Sequence, residues 1–247
     1  IGVIGKPFIT KTGELTIEAS QFQLLVKSLH PLPEKHHGLT NVEIRYRQRY
    51  IDLLVSEASR DVFRKRAETI RSLRKFLDDR GYIEIESPIM QSIPGGANAK
   101  PFVTHHNALD RDLYLRVAQE LYIKRCLVGG FERVYELNRN FRNEGLSTQH
   151  NPEFTMLEYN EAYLDYNEYM DLTEEMLRTL AQNINGTTKL EYEGHSIDLA
   201  IPFERLSMYE AVLMYNPKLS STDLGDEKTM LGILRSRGVE IGTDLSW

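Results

Sequence analysis

The sequence has too few cysteines for a disulfide framework, no apolar run long enough for a membrane span, and no excess of basic residues for a nucleic-acid surface. Its 247 residues contain one cysteine, Cys126, which cannot form a disulfide within the chain and favours a reducing, cytoplasmic compartment. The formal net charge is −6, so an overall basic excess is missing, although a local basic face can coexist with an acidic whole. No apolar run reaches membrane-spanning length and no signal peptide is seen, so no membrane partner is expected.

The residues that are present suffice for a folded core. Hydrophobic residues make up 41% of the chain and recur with both helical and strand-like periodicity, so we expect an α+β fold. Residues 1 to about 29 predict three short strands around Val3, Leu15 and Leu24, with a turn at 11–14. This is too little to close a barrel, and the prolines of 31–35 then predict an extended linker.

Two patterned segments follow the linker. Residues 42–54 carry arginines interleaved with tyrosines, which suits nucleic-acid binding and equally suits a solvated helix whose tyrosines cover apolar surface. Residues 60–80 have apolar side chains three or four apart and predict one helix, which Gly81 ends. Alternation over 82–86 predicts a strand that stops at Pro88.

A predicted loop over 91–107 contains Gly95 and Gly96. Paired glycines allow the backbone to approach a ligand closely, and they are also ordinary turn residues. His105 and His106 follow, and adjacent side chains point to opposite sides of a strand, which makes a poor metal site. We interpret both histidines as structural or hydrogen-bonding residues.

A buried strand over 113–117 and a helix over 119–128 are expected next. Glu120 lies in the first turn of that helix, where the helix dipole alone is a sufficient reason for a carboxylate. Cys126 lies in the apolar part of the helix and is interpreted as a small core residue. Three further elements are predicted downstream: an amphipathic helix over 167–184, a small hairpin over 189–199, and a helix capped by Ser207 and Glu210.

The stretch between these elements predicts two strands joined by a polar loop over 143–152. Alternation places Arg142 on a polar face of the first strand, and Phe154 and Glu158 on one face of the second. If the strands pair, these three side chains meet on one surface. Such a surface would suit ATP and an amino acid: the guanidinium could bind a phosphate or carboxylate, the aromatic ring could stack on a base, and the carboxylate could bind an amine. A solvated antiparallel sheet with ordinary surface charges fits the alternation equally well.

The residue strings themselves carry a family resemblance. FRNEG followed by HNPEFTMLE resembles motif 2 of the class II aminoacyl-tRNA synthetases, in the form seen in lysyl-tRNA synthetases of bacterial type. GGANAKPFVTHHNAL resembles the same family, and the helix, strand and proline over 60–88 resemble its motif 1. Nothing in the chain resembles motif 3, and most of the family's anticodon-reading barrel is missing before Ile1, so we expect a piece truncated at both ends.

The resemblance implies a domain organisation. The expected fold is a class II antiparallel sheet flanked by helices, preceded by the last strands of an OB-type anticodon-binding barrel. Residues 1–40 would be the C-terminal remnant of that barrel with its linker, and 41–247 the catalytic domain. Within the latter, 185–247 would be a partly helical insertion. The family forms homodimers through the motif 1 region, here about 60–88.

The resemblance also implies lysine–tRNA ligase activity, in which lysine is activated with ATP and passed to tRNA(Lys). Arg142 matches the catalytic arginine that bridges the α-phosphate and the substrate carboxylate. Five residues are implied to bind ATP: Arg142, Glu144, His150, Asn151 and Phe154. Five are implied to bind lysine: Gly96, Glu120, Arg142, Glu158 and Asn160. Mg²⁺ is expected from the family, with its ligands in the missing C-terminal part and none in this chain.

Three positions depart from the family pattern: Gln119 replaces a proline, Gln149 an arginine and Asn160 a tyrosine. Because of the change at Asn160, a related ligase with another amino-acid specificity is an alternative interpretation of this chain. Because motif 3 is missing, a second alternative is a truncated, non-catalytic paralogue that acts as a dimerisation or tRNA-binding module. We expect this chain by itself to be impaired in amino-acid activation.

Overall fold

The computed structural model describes residues 1–33 and 39–239. The predicted linker beyond residue 33 and the last residues of the predicted insertion lie outside the described residues. The chain divides into two compact units, 1–75 and 76–247. That division falls inside a long helix, whereas the domain boundary predicted from the sequence is at residue 40, and the domain assignment stays a prediction.

The first unit begins with an antiparallel strand pair, β1 (Gly2–Ile9) and β2 (Leu15–Gln23). The predicted turn between them is confirmed, since the amide of Thr10 donates to the carbonyl of Glu14 at 2.9 Å. The predicted third strand around Leu24 and Val26 is wrong, because 24–29 form no regular element. Among the described residues β2 pairs with β1 alone, and residues 24–29 do not add to either open edge of that pair.

The arginine-rich segment forms two short helices, α1 (Val42–Arg47) and α2 (Arg49–Val55). Arg45 donates from Nε to Asp52 Oδ1 at 2.9 Å, and Arg49 donates from Nη1 to Oδ2 at 2.5 Å. The Asp52 residue is only 1% exposed, so these two arginines stabilise a buried carboxylate. Tyr46 and Tyr50 are each 70% exposed, and the interpretation that they cover apolar surface is wrong.

Helix α3 (Glu57–Asp78) confirms the helix predicted over 60–80. The predicted C-terminal cap at Gly81 is confirmed: its amide donates to the carbonyl of Asp78 at 2.9 Å, and its φ of +78° is a left-handed conformation that glycine adopts without the cost of a Cβ clash. In the first unit its Val62 and Phe63 are exposed, whereas its Leu77, in the second unit, is completely buried.

The second unit holds two three-stranded sheets. In the first, β7 (Arg133–Phe141) lies between the two-residue parallel strand β3 (Ile83–Glu84) and the antiparallel strand β8 (Glu153–Glu161). In the second, β6 (Arg111–Leu115) lies between β4 (Met90–Gln91) and β5 (Phe102–His106). The loop predicted over 91–107 is therefore shorter than expected, because strand residues occupy both of its ends.

The remaining elements of this unit follow the predicted order. They are the 3-10 helix Asn107–Leu109, α4 (Glu120–Val128), α5 (Tyr166–Asn185), β9 (Lys189–Tyr192), β10 (His195–Asp198), α6 (Met208–Tyr215), α7 (Ser221–Gly225) and α8 (Glu227–Ser236). The mixture of helices and small sheets confirms the α+β class. The cap formed by Ser207 and Glu210 is also confirmed. Among the described residues, no helix is long and apolar enough to cross a membrane.

The core of the second unit lies on both faces of the β7–β8 hairpin. Helix α5 packs on one face, where the Tyr159 ring stacks on Tyr169 with centroids 5.7 Å apart. Helix α4 packs on the other, and its Ile123 is completely buried. Cys126 on α4 is only half-buried, so its interpretation as a core residue is wrong in part.

Candidate functional site

The predicted hairpin is confirmed, and its register decides which side chains share a face. Asn140 lies opposite Phe154, and Glu136 lies opposite Glu158. Beyond the last paired residues, the amide of Arg142 still donates to the carbonyl of Pro152 at 2.9 Å. Because residues directly opposite each other point to the same side, all of these polar side chains belong to one face.

The middle of that polar face is neither solvated nor open to a ligand. Glu136 is 1% exposed and Asn140 is completely buried. The side chain of Arg116, also completely buried, covers them and donates from Nη1 to Glu136 Oε1 at 2.7 Å. Gln119 accepts from Asn140 Nδ2 at 3.0 Å. Both sequence alternatives, surface sheet and ligand wall, are therefore wrong for this part of the strand, which is an internal hydrogen-bonded network.

Arg116 connects this network to the end of β7. Its Nε donates to the carbonyl of Arg139 at 2.9 Å, and its own carbonyl accepts from the amide of Phe141 at 3.0 Å. Its Nη1 also donates to Ser87 Oγ at 2.8 Å. The hydrogen bonds of Arg116 thus join its own segment to Ser87 and to the end of β7, immediately before Arg142.

A pocket of about 310 Å³ opens at this end of the hairpin. Its lining residues are Arg142, Glu144, Gly145, Gln149, His150, Asn151 and Phe154. All five residues predicted to bind ATP are among them. The Arg142 guanidinium carbon lies 5.2 Å from the centroid of the Phe154 ring, and its buried Nε has no hydrogen-bond partner among the described residues. A cationic donor beside an aromatic face suits an anionic ligand that carries a planar ring.

The loop that closes the pocket is held by its own hydrogen bonds. Ser147 Oγ accepts from the amide of His150 at 3.0 Å and lies 2.8 Å from its ring Nδ1. Glu144 accepts from the amide of Lys100 at 3.3 Å, and Asn151 donates from Nδ2 to the carbonyl of Glu153 at 2.9 Å. These contacts orient the lining side chains before any ligand arrives, which lowers the entropic cost of binding.

The residues predicted to bind lysine form a second cluster, on the side of α4. Gly96 has a φ of +87°, and a Cβ built on it would lie 3.2 Å from the Cβ of Glu120 and 3.1 Å from that of Ala118. Glycine is therefore required both for its backbone conformation and for this close approach. Glu120 also forms an ion pair with Lys124, one helical turn farther on.

Glu158 faces the same cluster from β8. Burial raises the pKa of its carboxyl, the charge of Glu120 raises the pKa further, and the charge of Lys124 lowers it. Asn160 lies two residues farther along the same face of β8, opposite Val134. The structure thus brings together Gly96, Glu120 and Glu158, with Asn160 at the far end of the strand.

The pocket and the carboxylate cluster occupy different positions on the hairpin. Phe154 and Glu158 are four residues apart on β8, about 13 Å at the usual strand rise. Arg142 and Phe154 meet as predicted, whereas Glu158 shares their face without lining their pocket.

Sequence reasoning missed two residues of this region. Arg116 stands between Leu115 and Val117 in an apolar stretch, and an arginine in such a position is a signal of a buried ion pair. Lys124 carries no comparable signal, because an i,i+4 pair with a residue such as Glu120 is common on helices.

The two adjacent histidines are hydrogen-bonding residues, as predicted. His105 Nδ1 lies 3.0 Å from Asp112 Oδ1, and His106 Nδ1 accepts from the amide of Leu109 at 3.3 Å. Within the ranges 1–33 and 39–239, no group of three or more His, Cys, Asp or Glu side chains is arranged to hold a metal ion.

Comparison with known proteins confirms the family resemblance. Residues 41–237 match the family model of tRNA synthetases class II (D, K and N). The chain is 56% identical to the lysine–tRNA ligase of Aeromonas hydrophila over 246 residues, which cover 98% of this chain and 48% of that protein. It is 57% identical to the lysine–tRNA ligase of Xanthomonas oryzae over 238 residues, 96% of this chain and 47% of that protein. The chain spans about half the length of the curated relatives it matches. With four-fifths of its length in the family model, the chain belongs to the class II tRNA synthetases of the D, K and N group.

Proposed function

We propose that this chain is part of a lysine–tRNA ligase, which activates lysine with ATP to lysyl-adenylate and transfers the acyl group to tRNA(Lys). The observation that carries the proposal is the buried Nε of Arg142, which has no hydrogen-bond partner within residues 1–33 and 39–239. It lies beside the Phe154 ring, in a pocket lined by all five expected ATP-binding residues. The names of relatives more than half identical to this chain support the same activity.

The chemistry of activation explains the residue types. A carboxylate oxygen of lysine forms a bond to the α-phosphorus of ATP, and the bond from that phosphorus to the bridging oxygen breaks, so that pyrophosphate leaves. This displacement needs positioning and charge neutralisation more than proton transfer. Arg142 would bridge the α-phosphate and the lysine carboxylate, because a guanidinium stays charged and binds both with two parallel hydrogen bonds.

The other pocket residues would hold the nucleotide. Phe154 would lie under the adenine ring, and Glu144 would accept a hydrogen bond from the adenine amino group. His150 and Asn151 would lie near the phosphates. The hydrogen bonds that already orient Glu144, His150 and Asn151 support these roles, because a pre-organised loop binds with less loss of entropy.

The carboxylate cluster would hold the two ammonium groups of lysine. Glu120 would bind the α-ammonium next to the backbone of Gly96, and Glu158 would bind the side-chain ammonium, with Asn160 lining the same pocket. The half-buried carboxyl of Glu158 supports this role, since a desolvated ammonium is stable only next to an opposite charge.

The partners and domains follow from the same proposal. Residues 1–40 would be the remnant of an OB-type anticodon-binding barrel, supported by the open pair of β1 and β2 with Ile9 and Leu15 more than 70% exposed. The exposed Val62 and Phe63 support a homodimer through 60–88. The working compartment would be the cytoplasm. Mg²⁺ stays an expectation from the family, and no step is assigned to it because the described residues offer no donor cluster.

ATP–pyrophosphate exchange on the full-length gene product, with a panel of amino acids, tests the proposal. We expect exchange that depends on lysine. Exchange that depends on aspartate or asparagine instead would overturn the lysine specificity, in which case Asn160 becomes the residue to examine. The 247-residue chain alone is expected to show little or no exchange, and robust exchange by it would overturn the view that a further part of the site is needed.

A further inference from the structure

Lys124 holds a position between two carboxylates that come from different elements. It lies one turn after Glu120 on α4, and its ammonium forms an ion pair with Glu120 Oε1. Its charge also lowers the pKa of the Glu158 carboxyl on β8, while burial and the charge of Glu120 raise that pKa. The other acidic group that acts on Glu158, Glu136 on β7, is paired with Arg116. Lys124 is therefore paired with Glu120, and its positive charge also acts on Glu158.

The two oxygens of Glu120 are in different surroundings. Oε1 is bound by Lys124, whereas a Cβ built on Gly96 would lie 3.6 Å from Oε2. Glycine at position 96 thus keeps space beside the oxygen that Lys124 does not occupy. The side chains of Lys124 and Glu120 are 56% and 35% exposed, so the Lys124 ammonium remains accessible to solvent.

We propose that the Lys124 ammonium is a resident counter-ion of the Glu120–Glu158 pair and competes with the ammonium groups of the amino-acid substrate, so that Lys124 sets the affinity for cationic amino acids. This inference rests on the proposed function. Two neighbouring carboxylates without a ligand repel each other, and Lys124 reduces that repulsion. The same positive charge opposes an incoming ammonium, because like charges at short range repel in a partly desolvated site.

Replacement of Lys124 by methionine tests the inference on the full-length protein at pH 8. Removing the competing charge is expected to lower the KM and Kd for lysine about two- to fivefold, the range of a partly exposed charge interaction, with kcat for exchange changed less than about twofold. Lys124→Arg keeps the charge and is expected to restore the wild-type KM. Lys228→Met removes an exposed lysine of α8 and is expected to leave the KM unchanged.

The outcomes separate this inference from the function on which it rests. Lysine affinity that is unchanged in Lys124→Met would mean an ordinary helical surface pair, and weaker affinity would mean that Lys124 merely orients Glu120; either overturns the inference. Failure of the wild-type protein to bind lysine by calorimetry would instead overturn the proposed function. Thermal unfolding of each variant identifies changes in affinity that result from loss of structure.

Discussion

The Nη1 atom of Arg116 lies 2.7 Å from Oε1 of Glu136, and both side chains are almost completely excluded from solvent. The pair connects the strand end after β6 with the middle of β7. Through the carbonyl of Arg139 and the amide of Phe141, Arg116 also fixes the backbone that presents Arg142. The buried ion pair therefore links the stability of the second unit to the geometry of the candidate ATP pocket.

Removing one partner of this pair is expected to be strongly destabilising. Arg116→Met leaves the Glu136 carboxylate buried without its cation, which should lower the free energy of unfolding by about 3–5 kcal/mol. Chemical denaturation monitored by circular dichroism measures the change.

The double variant Arg116→Met, Glu136→Met is the matched control. It leaves no unpaired charge, so we expect it to lose less stability than Arg116→Met alone. A single variant within about 1 kcal/mol of the wild type would contradict the importance of the pair.

Arg142 is expected to be essential for adenylate formation. Arg142→Ala should lower kcat/KM for ATP–pyrophosphate exchange by about 10²–10³-fold, because a positioned cationic donor at the developing charge is lost. Arg142→Lys keeps the charge without the planar fork and should recover only part of the activity. Arg111→Ala, at an exposed arginine of β6, serves as the control and should remain near wild type. Near-normal exchange by Arg142→Ala would refute the proposed role.

Gly96 is expected to be needed for two separable reasons. Gly96→Ala should cost about 1–2 kcal/mol of stability from its left-handed backbone alone. It should also raise the KM for lysine, because the new Cβ would lie 3.2 Å from the Cβ of Glu120 and displace that side chain.

Gly194→Ala separates the two effects. Gly194 has a φ of +81° in the turn between β9 and β10, and its Cβ would meet nothing within 4 Å among the described residues. This variant should show the stability loss with no change in the KM for lysine. An equal effect of both variants on KM would argue against a close approach of Gly96 to the substrate site.

Glu158 is expected to make stability depend on pH. Its folded-state pKa is raised above the ordinary 4.5, first by burial and then by the charge of Glu120. The folded state therefore binds the proton more tightly than the unfolded state does. This contribution is fully present below about pH 4.5 and is lost as the pH rises through the folded-state pKa.

Glu158→Gln removes this dependence. The variant should be more stable than the wild type at pH 7 and should lose that advantage towards pH 4, while its lysine binding is weakened. Urea denaturation from pH 4 to pH 8 gives the comparison. Glu191→Gln, at an exposed residue of β9, is the control and should follow the wild-type profile. A Glu158→Gln variant that is less stable at pH 7 would contradict the raised pKa.

Local patterns in the sequence predicted most of the regular elements. The apolar spacing of 60–80 predicted α3, and Gly81 caps that helix because a left-handed residue there lets the last carbonyls of the helix accept hydrogen bonds. The alternation on either side of Arg142 predicted the hairpin, and the resemblance of its residue string to motif 2 supplied five of the seven residues that line its pocket. Helix α3 and the hairpin depend on neighbours close in the chain, whose side-chain period is readable without the fold.

Long-range contacts decided the rest. In sequence, the polar face of β7 looks like the exposed face of a surface strand. In the fold, the side chain of Arg116 packs on it and makes its centre a buried hydrogen-bonded network. Leu24 and Val26 are strand-forming residues, yet residues 24–29 pair with neither open edge of the β1–β2 sheet, and an extended segment is a strand only when it pairs with a neighbour. The sequence by itself thus determined helices, the hairpin and the types of side chain at the site. Tertiary structure decided which charges are buried together, because desolvation and pairing depend on residues brought into contact by folding.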